Sequence, residues 1–283
     1  MPGTPPPRLP PTADIPAGMD NPLNYAVQQR DRDVLQMVAD ALRHDEVLLA
    51  YQPIVESRRQ DHIAFYEGLV RILDATGREI PAAQFMPQVE DRTLGREIDC
   101  TALRLGLQAL ANVPGLRLSI NMSARSIGYA KWLRVLDEGL RADPSAGARL
   151  ILEITESSAM TVPELVRSFM AEMRRRDLAF ALDDFGAGAT AFRYLRDFRF
   201  DMVKIDRQFC HRVSVQPDNQ TLVRAMVMIS EQFEMMTIAE GIEEPADAEW
   251  LSAAGLHCLQ GYHFGYPRLH QHWHEDQREK ARA

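Results

Sequence analysis

Leu150-Ile151-Leu152-Glu153-Ile154-Thr155 is a short apolar run broken late by one acid, and Phe180-Ala181-Leu182-Asp183-Asp184 repeats the pattern. Between them, residues 163–176 carry apolar side chains at helical spacing. A buried strand ending in a carboxylate, a helix, then a second such strand is the repeating unit of a parallel α/β sheet. The same pattern extends outward in both directions. Runs 47–55, 63–72 and 116–122 precede it, and runs 202–206, 236–240 and 257–262 follow. Helical segments at 96–111, 131–141, 219–233 and 247–254 separate most of them. The link over 56–62 is too short for a helical crossover, so the first two runs are expected to pair antiparallel.

Eight strands of this kind form either an open doubly wound sheet or a closed barrel. The strand ends decide between them. Glu67, Asn121, Glu153, Asp183, Lys204, Glu240 and Gln260 stand late in successive runs. In a (β/α)8 barrel such residues converge on the face that holds the active site. An open sheet would spread them along an edge, where they could not meet. The pattern therefore predicts a TIM-like (β/α)8 barrel with an antiparallel first strand.

Convergence has an electrostatic consequence. Glu67, Glu153, Asp183, Asp184 and Glu240 bring five carboxylates to one mouth, and like charges so placed stay ionised only beside cations. Histidine is missing from the strand ends that supply the acids, which disfavours zinc. Carboxylates with the Asn121 amide oxygen suit Mg²⁺ or Mn²⁺. Adjacent Asp183 and Asp184 normally face opposite sides of a strand. They reach one site together only if the strand ends there, and Gly186 and Gly188 follow at once. One carboxylate bridging two ions beside a neighbour that binds one suits phosphate-ester hydrolysis.

The blocks that carry this chemistry resemble the EAL-type phosphodiesterase domain, which hydrolyses the bacterial second messenger cyclic di-GMP. The name motif stands as Glu67-Gly68-Leu69, after Tyr51-Gln52-Pro53-Ile54-Val55 and before Arg71. Ser119-Ile120-Asn121-Met122-Ser123-Ala124-Arg125 and Leu152-Glu153-Ile154-Thr155-Glu156-Ser157 follow. Then come Asp183-Asp184-Phe185-Gly186-Ala187-Gly188, Lys204-Ile205-Asp206, Ala239-Glu240-Gly241-Ile242-Glu243 and Gln260-Gly261-Tyr262 with Pro267. The match runs in order from about 34 to 267.

The resemblance implies hydrolysis of cyclic di-GMP to linear 5'-pGpG with two divalent cations, Mg²⁺ or Mn²⁺. It makes Glu67, Asn121, Glu153 and Asp183 ligands of one cation, and Asp183, Asp184 and Glu240 ligands of the second. Glu240 is also the implied general base, and Lys204 would hold the water or a phosphate oxygen. Gln52, Leu69, Arg71 and Pro267 would line the nucleotide site, Glu243 and Gln260 would support water and metal, and Glu156 would anchor the loop after Asp184. Arg71 also follows Glu67 by four residues in a strand, on the same face, where a guanidinium can meet phosphate. The resemblance further implies a homodimer. Two departures stand out: Gly68 where the family has Ala, and Ala187-Gly188-Ala189-Thr190-Ala191 where it has a Thr, an aromatic and serines. The loop change bears on rate and regulation, and it leaves a non-catalytic cyclic di-GMP receptor, relaying binding to an unknown signalling partner, as the alternative.

Composition agrees with a folded, non-fibrous chain. Its 283 residues are 46% hydrophobic and 25% charged, with a net charge of −8. An acidic balance disfavours a nucleic-acid polymer as partner. Without an apolar run of membrane length or a signal-like start, the chain is expected to be cytoplasmic and not membrane-inserted. Cys100, Cys210 and Cys258 are too far apart for a zinc knuckle and read as reduced core residues. Residues 1–18 hold seven prolines and read as a flexible tail, 19–44 as an entry helix with apolar spacing clear from Asp33, 45–270 as the barrel, and 271–283 as a polar tail. Arg174-Arg175-Arg176 reads as a solvated helix end, and Met226, Met228, Met235 and Met236 as core filling.

Overall fold

Strands form where the aliphatic and β-branched runs lie: β1 (Val47–Glu56), β2 (Arg59–Leu73), β3 (Glu79–Pro81), β4 (Leu118–Asn121), β5 (Leu150–Thr155), β6 (Ala179–Phe185), β7 (Met202–Ile205), β8 (Met236–Ala239) and β9 (Cys258–Gln260). These come from a computed structural model, which describes residues 22–188, 195–271 and 273. The proline-rich segment 1–18 and the loop positions Ala189, Thr190 and Ala191 lie outside the described residues.

Because β1 pairs with both β2 and β9, eight strands close in the circular order β1-β2-β4-β5-β6-β7-β8-β9. β1 runs antiparallel to both neighbours, and every pairing from β2–β4 round to β8–β9 is parallel. The fold is a (β/α)8 TIM-like barrel with an antiparallel first strand. The three-residue β3 adds to the outer part of β2 and was not expected, being too short to show a periodicity.

Two hydrophobic layers hold the barrel. Outside it, Leu103 and Leu107 from helix Thr93–Asn112, Trp132 and Leu136 from helix Ala130–Ala142, and Phe169 and Met173 from helix Pro163–Arg174 pack on Leu118, Ile120, Leu152, Phe180 and Leu182. Trp132, Phe169 and Phe180 run edge to face at centroid distances of 5.6 and 6.0 Å, each such contact contributing about 0.5–1.5 kcal/mol beyond its buried area. Inside, Ile54, Phe65, Ile151, Ala181, Met202, Ile238 and Cys258 from seven strands meet in one apolar plug. The alternation of a strand puts the residue two positions along on the same inward face. Those residues are Gln52, Glu67, Glu153, Asp183, Lys204, Glu240 and Gln260. The plug is therefore the floor, and the polar layer lies one pleat above it.

Helix Pro22–Arg43 docks through Val38 and Ala41 onto Val47, Ile72, Ile80, Phe85 and Ile98. It begins at Pro22, inside the 19–44 entry helix, although its apolar spacing is clear only from residue 33. Other expectations need correction. Trp273 is buried edge to face against Tyr51 and Tyr66, so the packed region passes the boundary drawn at 270. Arg174 is not simply solvated: it grips Asp201 with two contacts of 2.9 Å. Met228 and Met236 are exposed, and of the four methionines only Met235 is fully buried, with Met226 partly so. The cysteines are free and buried. Among the described residues, no helix is long and apolar enough to cross a membrane.

Candidate metal centre

The polar layer is built around one lysine. Lys204 on β7 is 1% exposed, and its Nζ lies 2.7 Å from Glu240, 2.9 Å from Glu153, 3.1 Å from Glu67 and 3.4 Å from Asp183. Burial opposes its charge, but four carboxylates hold its pKa well above the usual lysine range. Glu67 on β2 is the best served acid. Burial works against its ionisation, yet Lys204 and hydrogen bonds from Gln260 Nε2 (2.6 Å) and Asn121 Nδ2 (2.8 Å) bring its pKa below normal.

The other acids share the one cation and are left short of positive charge. Burial first, then neighbouring carboxylates, raises Glu153 well above the ordinary range and raises Asp183. Asp184 is pushed up to about 6 by burial and by Asp183, and Glu240 to about 8 by burial, against the pull of Lys204. Strongly displaced carboxylates of this kind mark functional sites.

Asp183 and Asp184 do reach one place. Asp184 adopts a left-handed backbone (φ 56°), with Gly186 following at φ 94°, and the β6–β7 register slips between Leu182 and Phe185. That break turns the second acid out of the pleat, which Asp tolerates better than most residues. One ligand oxygen from each of Asp183, Asp184 and Glu240 lies within 4.8 Å of the others. The turn is pinned from behind by buried Glu156, whose Oε2 accepts Gly186 N at 3.2 Å.

The donor set fits a hard divalent cation. It is all oxygen, and it carries more negative charge than Lys204 balances, Asp183 Oδ1 standing 3.4 Å from that single ammonium. Asp183, Asp184 and Glu240 are the residues able to hold such an ion at the mouth. Glu67 and Glu153, in the same layer, are already joined to Lys204, and Glu67 also to Gln260 and Asn121.

Above the acids opens a cavity of about 440 Å³, a size suited to a small-molecule ligand. Gln52, Glu67, Leu69, Asp183, Lys204, Glu240, Glu243 and Gln260 line it. Gln52 sits directly across the β1–β2 pair from Glu67, a placement that follows from the reversed first strand, and it accepts Gln260 Nε2 at 3.1 Å. Arg71 and Pro267 are not among the lining residues. Arg207 and Tyr262 are, and the sequence reading gave neither a role. Arg207 opens the short helix Arg207–Cys210 just past β7, and Tyr262 stands in the turn just past β9, where a polar or aromatic residue has no periodic signal. Gly68 has neighbours at 3.4–3.5 Å from an added Cβ, so this position would admit the alanine methyl without disturbing the layer.

Residues 35–267 match the EAL domain. The chain belongs to the EAL domain family. It is 26% identical over 235 residues to the probable cyclic di-GMP phosphodiesterase PdeN of Escherichia coli, covering 81% of this chain and 45% of that protein. It is 30% identical over 239 residues to the cyclic di-GMP phosphodiesterase PdeB of Shewanella oneidensis, covering 82% of this chain and 28% of that protein. The chain thus spans less than half the length of these relatives. Among solved structures, the FimX EAL domain from Pseudomonas aeruginosa, bound to c-di-GMP, superposes with a TM-score of 0.77 at 24% identity, over 84% of this chain and 97% of that one. The PaMucR phosphodiesterase in its c-di-GMP complex gives 0.73 at 26% identity, over 83% and 97%.

Proposed function

We propose that this EAL domain hydrolyses cyclic di-GMP to linear 5'-pGpG with two divalent cations, Mg²⁺ or Mn²⁺. The observation that carries the reading is the three-carboxylate cluster of Asp183, Asp184 and Glu240 at the floor of the cavity. The named relatives support the substrate. Asp183, Asp184 and Glu240 would hold one cation, and Glu67, Asn121, Glu153 and Asp183 the other. Bound there, such ions supply an activated water and charge neutralisation at the phosphoryl oxygens.

The chain's own residues do the remaining work. Lys204 fixes the carboxylates in one constellation and stabilises negative charge at the floor. Glu240 is the proton acceptor: Lys204 holds its Oε1, and Oε2 takes the proton of the attacking water. Gln52 and Gln260 orient Glu67. Leu69 supplies an apolar wall, and Glu243 a polar rim. Arg71, on the same face of β2 as Glu67, meets a phosphate, and Pro267 borders the nucleotide.

The proposal includes a homodimer and a cytoplasmic setting. A receptor without catalysis rests only on the altered loop at 187–191 and has no missing carboxylate in its favour. Incubating the protein with cyclic di-GMP and Mg²⁺ or Mn²⁺ tests both. Linear dinucleotide supports hydrolysis, binding without product supports the receptor, and the absence of both binding and product overturns the cyclic dinucleotide reading.

A further inference from the structure

The rim of the carboxylate cavity carries two aromatic rings that have no role in the account above. Tyr262 lines the cavity, and Tyr266, four residues on, stacks against it with centroids 4.4 Å apart and ring planes inclined by 29°. The two residues are 50% and 59% exposed, although rings of this size normally gain by burial. Tyr266 covers one face of Tyr262, which leaves the other for a ligand.

The loop that presents them is tied down on three sides. Gly261 passes so close to Ile242 that a Cβ there would meet the Ile242 carbonyl oxygen at 2.0 Å. His263 N donates to that same oxygen at 3.0 Å, and the amides of Phe264 and Gly265 both donate to Gly261 O. Gln52, itself a cavity residue, donates from Nε2 to Gly265 O at 3.2 Å. The stack is therefore in place before a ligand arrives, which lowers the cost of ordering it on binding. Arg71 lies within electrostatic reach of both Tyr262 and Glu67. The Tyr262 ring, the Arg207 side chain and the carboxylates of Asp183, Asp184 and Glu240 line one cavity, a combination that matches the base, phosphate and metal-ion needs of a nucleotide.

We propose that Tyr262, backed by Tyr266, is the base platform of this site, on which one purine of the cyclic dinucleotide stacks while its phosphodiester lies over Asp183, Asp184 and Glu240. The inference rests on the phosphodiesterase reading above and adds to it a determinant of substrate affinity. Stacking needs the ring and not the hydroxyl, so Tyr262→Phe separates it from a hydrogen-bonding role.

The test is steady-state hydrolysis of cyclic di-GMP with Mn²⁺ by wild type, Tyr262→Ala, Tyr262→Phe and Tyr266→Ala. Loss of a base–aromatic stack is expected to raise KM roughly 5- to 100-fold in Tyr262→Ala, with kcat within about threefold of wild type. Tyr262→Phe is expected to keep the wild-type KM, and Tyr266→Ala to fall between. An unchanged KM in Tyr262→Ala, or an equal loss in the Ala and Phe variants, would overturn the platform. So would a fall in kcat with KM unaltered. A wild type that neither binds nor cleaves cyclic di-GMP would instead remove the reading on which the platform rests, and the platform with it.

Discussion

Lys204 Nζ donates to Glu153 Oε2 at 2.9 Å, and neither side chain reaches solvent. The same ammonium touches Glu67, Asp183 and Glu240, so one buried cation holds four acids in register. Removing one partner of a buried ion pair leaves uncompensated charge. Lys204→Met is expected to lower unfolding stability by about 3–5 kcal/mol in metal-free protein at pH 8. Urea denaturation measures this. A midpoint equal to that of wild type would mean that the acids are already neutral and that Lys204 does not organise them.

The raised carboxylates set a pH dependence for metal binding. Asp184 at about 6 and Glu240 at about 8 hold protons in the metal-free protein below those values. A cation must displace these protons, so binding tightens as pH rises and releases protons as it occurs. Mn²⁺ affinity is expected to increase roughly tenfold or more from pH 6 to pH 8. Isothermal titration in buffers of different ionisation enthalpy reads both affinity and proton release. An affinity independent of pH would contradict the cluster as the binding site.

The fold and the floor of the site were legible in the sequence because both depend on a period of two. Ile151 and Glu153, Ala181 and Asp183, Met202 and Lys204, and Ile238 and Glu240 are each an apolar plug residue followed by a polar residue on the same inward face. What the sequence left out depends on geometry that no local pattern encodes. The means by which Asp184 joins Asp183 is one such feature: the following glycines signalled a break, but the left-handed backbone at Asp184 and the register slip did not show. Lys204 is another: the family resemblance implied a hold on water or a phosphate oxygen, whereas its burial among four acids emerges only when the barrel closes. Tyr262 and Arg207 stand just past strand ends, where the chain is placed by long-range contacts, Gly261 on Ile242 and Gly241 on Arg207.

Asp99 gives a test of the scaffold away from the acids. It sits buried on helix Thr93–Asn112, and its Oδ2 accepts Ser126 Oγ at 2.6 Å and Ser123 N at 3.1 Å, fixing the loop that leaves Asn121. Burial raises its pKa from 3.8 to about 7, partly opposed by those two hydrogen bonds. The folded state thus binds the proton more tightly than the unfolded chain. Its contribution to stability is complete below pH 4 and is lost as pH rises through 7. By linkage the loss is at most about 4 kcal/mol. Asp99→Asn keeps the acceptor and removes the titration, so its stability relative to wild type is expected to climb between pH 4 and pH 8. Parallel stability–pH curves for the two proteins would show that Asp99 is ionised throughout.

The central claim is that Asp183, Asp184 and Glu240 bind the cation on which hydrolysis of cyclic di-GMP depends. Asp183 is the member shared between the two proposed ligand sets, and Asp183→Asn removes its charge and one ligand oxygen at nearly constant volume. Glu240 and Asp184 would still hold an ion weakly, and Arg71 would still meet phosphate, so cyclic di-GMP should bind in part. Loss of about 4 kcal/mol of transition-state stabilisation would slow turnover roughly 10³-fold. The decisive measurement is the rate of linear dinucleotide formation by wild type and Asp183→Asn at saturating Mg²⁺, with cyclic di-GMP affinity measured alongside. The account predicts retained binding with turnover reduced by about three orders of magnitude. Turnover in Asp183→Asn close to that of wild type would contradict it.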